Sequence, residues 1–387
     1  MDFELTESQE ALKEEISKFC LEPENRKIAK ELEDSGDIYN AHSWELFRKM
    51  ADRGWMSLNW PREYGGRGFT PEEMYIFHDT MAYYGMPLTG LILNSLVGNV
   101  IAYFGNDEQK EEFLPRTARG EILFCLLYTE PDAGSDLASV RTRADEAGDY
   151  FIINGSKIFT SLGHEAHYGL MAARTDQEAP KRRGISLFIV PLDSEGVSVN
   201  RLYTMGDGLV GEESFSDVRV HRKYMIGEKN QGWTILNMAL GLERGNVASF
   251  AAQGKRCFHE LIEEVRRRKL DMDPVTCQQI AQMEIELEVT DLMNWHINSL
   301  LSRGEMPITE AAMTKLYSSE MMKRLANTSV NILGFCGLLK RGSEGAVLGG
   351  LLEYLYQIAT MLTVGAGSTE IMEQLIARSG LGLPTFS

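Results

Sequence analysis

The chain is short of positive charge. Its 39 Lys and Arg stand against 56 Asp and Glu, a formal net charge of -17 over 387 residues. That balance argues against nucleic acid or an anionic membrane surface as the partner, while leaving room for a local basic pocket around an anionic cofactor. Cysteine is sparse as well. Cys20, Cys125, Cys257, Cys277 and Cys336 are dispersed with no CxxC pair, which reads as reduced thiols and not as a disulfide framework. No spacing of Cys and His suits a metal, and no run approaches the ~18 apolar residues of a membrane span. Met1-Asp2-Phe3-Glu4-Leu5 offers neither the basic nor the apolar region of a signal peptide, so the expected location is cytoplasmic. No internal repeat or low-complexity tail stands out.

What is present is ordinary for a globular chain. Hydrophobic residues make up 43% and charged residues 25%, enough for a large core, and the length suggests two or three domains of roughly 150 residues each. Up to about residue 118 the pattern is helical. Thr6-Glu7-Ser8-Gln9 is a capping signature, and Leu12, Ile16 and Phe19 recur at helical spacing. Ser43 to Met50 predicts a helix ending near Gly54. Thr70 caps another, with Pro71 at its first position, and Leu91 to Phe104 is a further one.

Near Gly120 the character changes. Leu123 to Tyr128, Tyr168 to Ala173, Ile185 to Pro191, Val197 to Val199 and Ser214 to Val220 are short β-prone runs. Asp149 to Phe159 reads as two strands around an Asn154-Gly155 hairpin turn. Helical periodicity returns at Gly232. A long helix is expected from Trp233 to about Arg267, a second from Pro274 to Arg303-Gly304, a third over Ile308 to Leu333, and a fourth between Gly345 and Thr363. The expected fold is α+β multidomain: an N-terminal α-helical domain (1–119), a central antiparallel β-domain of sandwich or barrel type (120–230), and a C-terminal four-helix bundle (231–387).

Several stretches carry chemistry. In Val364-Gly365-Ala366-Gly367-Ser368-Thr369-Glu370-Ile371, two glycines bracket an alanine, Thr369 reads as the cap of a new helix, and Glu370 and Glu373 suit its positive end. Such a turn points free backbone N–H groups outward. In Thr129-Glu130-Pro131-Asp132-Ala133-Gly134-Ser135-Asp136, Pro131 and Gly134 force a loop directly after a strand. Its hydroxyls and N–H groups suit the edge of a planar heterocycle, or simply close a turn. Lys157-Ile158-Phe159-Thr160-Ser161 is an amphipathic strand bearing an aromatic. Arg266-Arg267-Arg268 sits at a helix end, where cations are ordinary. Gly241-Leu242-Glu243-Arg244-Gly245 completes the set.

Together with the loop Trp60-Pro61-Arg62-Glu63-Tyr64-Gly65-Gly66, and over the whole chain, these stretches resemble the acyl-CoA dehydrogenase family. The resemblance implies FAD as cofactor, an acyl-CoA substrate, an electron-transfer flavoprotein as acceptor and no metal. It implies that Thr129 bonds the isoalloxazine, that Ser135 bonds the flavin pyrophosphate or the substrate, and that Phe159 and Ser161 stand where relatives have Trp and Thr against the flavin. Tyr128, Gly134, Arg267, Asn331, Gly334, Ser368 and Glu370 complete the implied cofactor set, and Ser135, Arg244 and Gly367 the implied thioester set.

The chain departs from the family pattern at three places. Most members carry the catalytic glutamate where Ala366 stands. In the branch that includes the isovaleryl and long-chain enzymes, the glutamate lies instead in a Glu-Arg pair, here Glu243-Arg244. Glu243 is then the base that takes the α-proton, and the Ala366 backbone N–H still holds the thioester oxygen. Leu270-Asp271 replaces a Phe-Gly after Arg267, and Phe335 fills a glycine in Asn331-Ile332-Leu333-Gly334-Phe335-Cys336-Gly337. Both are positions that in the family reach a neighbouring subunit's FAD, which leaves homotetramer and α2β2 heterotetramer open. The expected reaction is α,β-dehydrogenation of a branched, cyclic or bulky acyl-CoA. The alternatives are another flavoenzyme of the same fold, a desulfinase or monooxygenase, or a catalytically silent partner subunit.

Overall fold

The computed structural model describes residues 4–36, 40–244, 248–270 and 272–384, with the side chains at 238 and 240–249 outside the description. In chain order come helices α1 (Glu7–Leu21), α2 (Pro23–Ser35), α3 (Trp44–Asp52), α4 (Pro71–Tyr83), α5 (Thr89–Phe104) and α6 (Asp107–Ala118). Strands β1 (Phe124–Leu127), β2 (Arg143–Ala147), β3 (Tyr150–Ser161), β4 (Tyr168–Arg174), β5 (Ile185–Pro191), β6 (Val197–Tyr203), β7 (Leu209–His221) and β8 (Met225–Ile226) follow. Helices α7 (Gly232–Arg244), α8 (Ala248–Arg268), α9 (Pro274–Ser302), α10 (Ile308–Leu333), α11 (Leu351–Leu362) and α12 (Thr369–Leu375) close the chain. The order is N-terminal helices, central sheet, C-terminal helices.

Two compact units result. One holds Asp37–Phe69 and Pro87–Leu242; the other holds Met1–Gly36, Thr70–Met86 and Glu243–Ser387. In the first, among the described residues, the strands form one eight-stranded sheet in the order β6-β7-β3-β2-β4-β5-β8, with β1 added on β4. The sheet is mixed and not purely antiparallel as expected, because β1 and β2 both run parallel to β4. Strands β4 and β5 are buried along nearly their whole length, as their unbroken apolar runs require. The sheet curls enough for Phe151 of β3 to meet Phe188 of β5 edge-on, ring centroids 4.9 Å apart. These two rings centre an inner core with Met171, Val190 and Val218. On the other face, residues of α5, α6 and the start of α7 pack against β4 and β5.

The Asn154-Gly155 turn does not form. β3 runs through it, and the β2–β3 hairpin turns at Gly148-Asp149, with Ala147 opposite Tyr150. Asn154 instead exchanges hydrogen bonds with Asp217 across the pairing with β7, donating to its carboxylate (3.0 Å) and accepting from its N–H (2.9 Å). The pairing slips one residue between Ile153 and Gly155. A Cβ at Gly155 would lie 2.4 Å from Thr142 Oγ1, so the glycine serves a β-bulge and close approach, not a tight turn.

The second unit is helical. α10 is its central member and packs on α8, α9, α11 and α12, while α4 packs on α1, α8 and α9. Thr6 forms the expected capping box with Gln9, and Thr70, expected as a cap, also forms a full box with Glu73. Helix α2 was not anticipated, although Pro23 at its first position is a start signal. Arg256 of α8 ties it down by an ion pair to Glu33 (2.7 Å) while also holding Glu260 (2.8 Å). The long helix expected from Trp233 to about Arg267 is described as α7 and α8, with 245–247 outside the described residues. Ser368, not Thr369, caps α12: its hydroxyl accepts from Ile371 N–H (3.4 Å), and Thr369 is the first helical residue.

Candidate active site

In the sheet-bearing unit, the loop after β1 is held from below by a buried ion pair. Lys157 of β3 is wholly buried, and its ammonium donates to Glu130 Oε1 (2.7 Å), Tyr128 O (3.1 Å) and Ala172 O (2.8 Å). Glu130 accepts further from the Thr142 N–H (3.0 Å) and the Arg141 N–H (2.6 Å). All three ammonium N–H groups and both carboxylate oxygens of the pair are thereby engaged, the condition under which buried charges persist. Burial alone would raise the Glu130 carboxyl, but Lys157 and the two N–H groups hold it below its ordinary value. Burial brings Lys157 down to about 8 against the pull of Glu130, so both groups are charged at neutral pH.

Two backbone features finish the loop. Glu130 and Ala133 exchange N–H···O bonds at 3.0 Å each, and Ile158 N–H donates to Thr129 O (3.0 Å). Gly134 and Ser135 are exposed, and Thr129 is half-buried. Neither hydroxyl has a hydrogen-bond partner among the described residues. Tyr128 is buried behind them.

Beside this loop, Phe159 is turned outward. It sits at φ 61°, in the left-handed region, at a second slip in the β3–β7 pairing between Ile158 and Thr160, and the residue is 64% exposed. A phenylalanine there costs about 1–2 kcal/mol, and such strain held by surrounding structure is a pointer to a ligand-facing position. Ser161 follows, half-buried, and Leu162 at φ 57° is fully buried.

The helical unit carries the turn between α11 and α12. Ala366 is exposed and sits at φ 55°, and Gly367 at φ 102°. Gly365 N–H donates to Met361 O (2.8 Å) and Thr369 N–H to Thr363 O (2.9 Å). The N–H groups of Ala366 and Gly367, between them, have no acceptor among the described residues. The turn is pinned by Lys315 of α10, buried, whose ammonium donates to Gly367 O (2.5 Å). Burial lowers Lys315 to about 8, with Glu320 and Glu370 pulling the other way. Glu370 is exposed, and the Ser368 hydroxyl holds its carboxyl below the ordinary value. A Cβ at Gly367 would lie 2.5 Å from Met372 Cε, the end of a flexible side chain that can give way, so it is the φ of 102° that favours glycine there. Lys315→Met leaves the Gly367 carbonyl without its charged donor, and we expect about 1.5–3 kcal/mol lower stability. Thermal unfolding checks this.

The remaining expected residues fall as follows. Arg267 is engaged by Glu264 through two 2.7 Å hydrogen bonds, and Arg268 shares the same carboxylate. Those arginine hydrogen bonds, foremost Arg267's, bring Glu264 to about 2. The guanidinium implied to reach an FAD therefore has a partner on its own helix. Asn331 and Gly334 lie at the end of α10, Gly334 at φ 59°. Glu264 foremost, and the Cys336 thiol in smaller part, raise Arg268, which sets the Arg267 stretch near the one that holds Asn331. Phe335 stands 90% exposed beside them. Glu243 and Arg244 end the backbone of α7; their side chains lie outside the described residues. Sequence reasoning missed Glu130 as an anchor, and missed Lys157 and Lys315 altogether. A lone lysine at a buried-face position was the only signal.

The chain matches the acyl-CoA dehydrogenase N-terminal domain over residues 6–121, the middle domain over 125–218 and the C-terminal domain over 230–381. It belongs to the acyl-CoA dehydrogenase family, whose members are FAD-dependent flavoprotein oxidoreductases, and it has their fold. Acyl-CoA dehydrogenase FadE26 of Mycobacterium tuberculosis is 34% identical, with 99% of each chain covered. Among solved structures, the Tcur3481-Tcur3483 steroid ACAD superposes with a TM-score of 0.92 at 34% identity, covering 100% of both chains. The ChsE4-ChsE5 complex from Mycobacterium tuberculosis gives 0.88 at 32% identity, also covering 100% of both. Among the described residues no helix is long and apolar enough to cross a membrane, and no cluster of His, Cys, Asp or Glu could hold a metal ion.

Proposed function

We propose that this acyl-CoA dehydrogenase removes the α- and β-hydrogens of a ring-bearing or otherwise bulky acyl-CoA, giving the 2-enoyl-CoA, with Glu243 as the α-proton base. The observation that carries the reading is the Ala366 turn. It presents two open N–H groups and a methyl, so it can donate to a carbonyl oxygen but cannot accept a proton.

The chain fits FAD. Thr129 and Ser135 offer free hydroxyls on a rigid loop, and Phe159 offers an aromatic face held outward against strain. FAD, when bound, would supply the acceptor for the hydride that leaves Cβ. The protein's own part is acid–base and positional. An α-proton is too weakly acidic to leave unaided, so the thioester oxygen needs donors as enolate charge develops, and Ala366 N–H supplies one. Glu243 takes the proton, and an enclosed apolar setting would raise its carboxyl toward the working range. The small side chain at 366 leaves space that a glutamate would fill, which suits a bulky acyl group. The description of one solved relative as a steroid ACAD points the same way.

The partner is an α2β2 assembly with a related chain, or a homotetramer, passing electrons to an electron-transfer flavoprotein. Phe335 in place of glycine and the engagement of Arg267 by Glu264 favour the heteromer, as does the two-protein composition of both solved relatives. The segments 1–119, 120–230 and 231–387 are its sequence divisions. The test is product analysis. The enzyme, an artificial electron acceptor and a panel of acyl-CoAs should give a product lighter by two hydrogens, fastest for ring-bearing chains. Best turnover on straight medium chains would argue against the bulky-substrate reading.

A further inference from the structure

Glu213 of β7 is a buried carboxyl that belongs to neither the Thr129 loop nor the Ala366 turn. It is fully buried, and its Oε2 accepts from the Thr160 hydroxyl (2.5 Å). Its Oε1 has no hydrogen-bond partner among the described residues. That oxygen lies where two glycines make room: a Cβ at Gly163 would be 2.1 Å from it, and one at Gly211 1.9 Å. Gly211 is also the cross-strand partner of Thr160. One glycine of β7 and one in the turn after β3 thus make room for a single carboxyl, directly behind the Phe159–Ser161 bulge.

We propose that Glu213 is a positioning residue that, in its neutral form, sets the Phe159–Ser161 bulge through Thr160 and so sets the surface offered to the flavin. This deepens the FAD reading above and rests on it. The surroundings favour the neutral acid. Lys157, directly opposite on β3, spends its ammonium on Glu130 and two carbonyls. Glu212 adds like charge, Cys125 of β1 is a thiol pushed well up by burial, and Val199 faces Glu213 from β6. Among the described residues no cation pairs with it. Burial accordingly raises it to about 7 against the pull of Thr160.

The sign follows. A carboxyl raised in the folded state stabilises the fold at low pH, and that contribution is lost as pH rises through about 7. Loss of the proton places an uncompensated charge behind the bulge.

The test uses the full chain with 4-fluorophenylalanine at position 159 alone. Without added FAD, its ¹⁹F resonance should titrate with a midpoint near 7. Glu213→Gln, which keeps shape and the Thr160 hydrogen bond, should hold the resonance at its low-pH position. Thr160→Val should uncouple it, and Thr160→Ser should restore it. A resonance that does not move, or moves equally in Glu213→Gln, overturns the proposal. A second arm loads FAD and follows the flavin spectrum, which should titrate with the same midpoint in wild type only; a flavin spectrum indifferent to Glu213 overturns the link to the cofactor surface. Failure to take up FAD at all would count against the cofactor reading, while the fluorine arm still judges Glu213.

Discussion

Glu243→Gln should lower the rate of flavin reduction by acyl-CoA by more than about 10², with FAD content and thioester affinity close to wild type. The substitution keeps size and hydrogen-bonding capacity and removes only the ability to take a proton. Each tenfold loss corresponds to about 1.4 kcal/mol of barrier, so the change removes at least about 2.7 kcal/mol of transition-state stabilisation. The selectivity of the effect matters. If Glu243 were a surface residue of α7, reduction would stay within a few-fold of wild type. If it only shaped the pocket, KM would rise with kcat little changed. Rapid-mixing measurements under anaerobic conditions separate these cases, because they isolate the chemical step from the electron acceptor.

Lys157→Met should be the most damaging substitution to the fold near the site. It strands the Glu130 carboxylate in a place where Lys157 supplied its counter-charge and a hydrogen bond. Removing one partner of such a pair costs about 3–5 kcal/mol, more than the pair contributes over a well-packed apolar replacement. Carbonyls of Tyr128 and Ala172 lose their donor at the same time. The loop from Thr129 to Ser135 should therefore loosen, and the protein should retain less FAD on purification. The double variant Lys157→Met with Glu130→Gln should recover part of the loss, since no buried charge remains. Urea unfolding and flavin content of the two variants check this. A single variant within about 1 kcal/mol of wild type would mean that water reaches Glu130.

Most of the fold could be read from local chemistry. Capping boxes at Thr6 and Thr70 mark α1 and α4 to the residue, and the periodicity from Ile308 to Leu333 gives the whole of α10. These signals are carried within a few residues of chain. Asn154-Gly155 misled because the same pair serves a turn or a bulge, and only the distant Thr142 and Asp217 decide which. The parallel placement of β1 and β2 on β4 is likewise a long-range matter. At the site, the loop at Thr129, the bulge at Phe159 and the turn at Ala366 stood out as glycine-, proline- and aromatic-bearing stretches. Their supports did not. Lys157, Glu130, Lys315 and Glu213 are ionisable residues whose burial depends on partners 27 to 53 positions away, and nothing local announces such a pair.

The most direct single measurement is an anaerobic titration of the purified, FAD-containing protein with a ring-bearing acyl-CoA, following the flavin's visible absorbance. Bleaching that reaches its end at one thioester per flavin, with the 2-enoyl-CoA recovered, is the expected result. Flavin that stays oxidised in the presence of ring-bearing, branched and straight-chain thioesters alike would contradict acyl-CoA dehydrogenation by this chain.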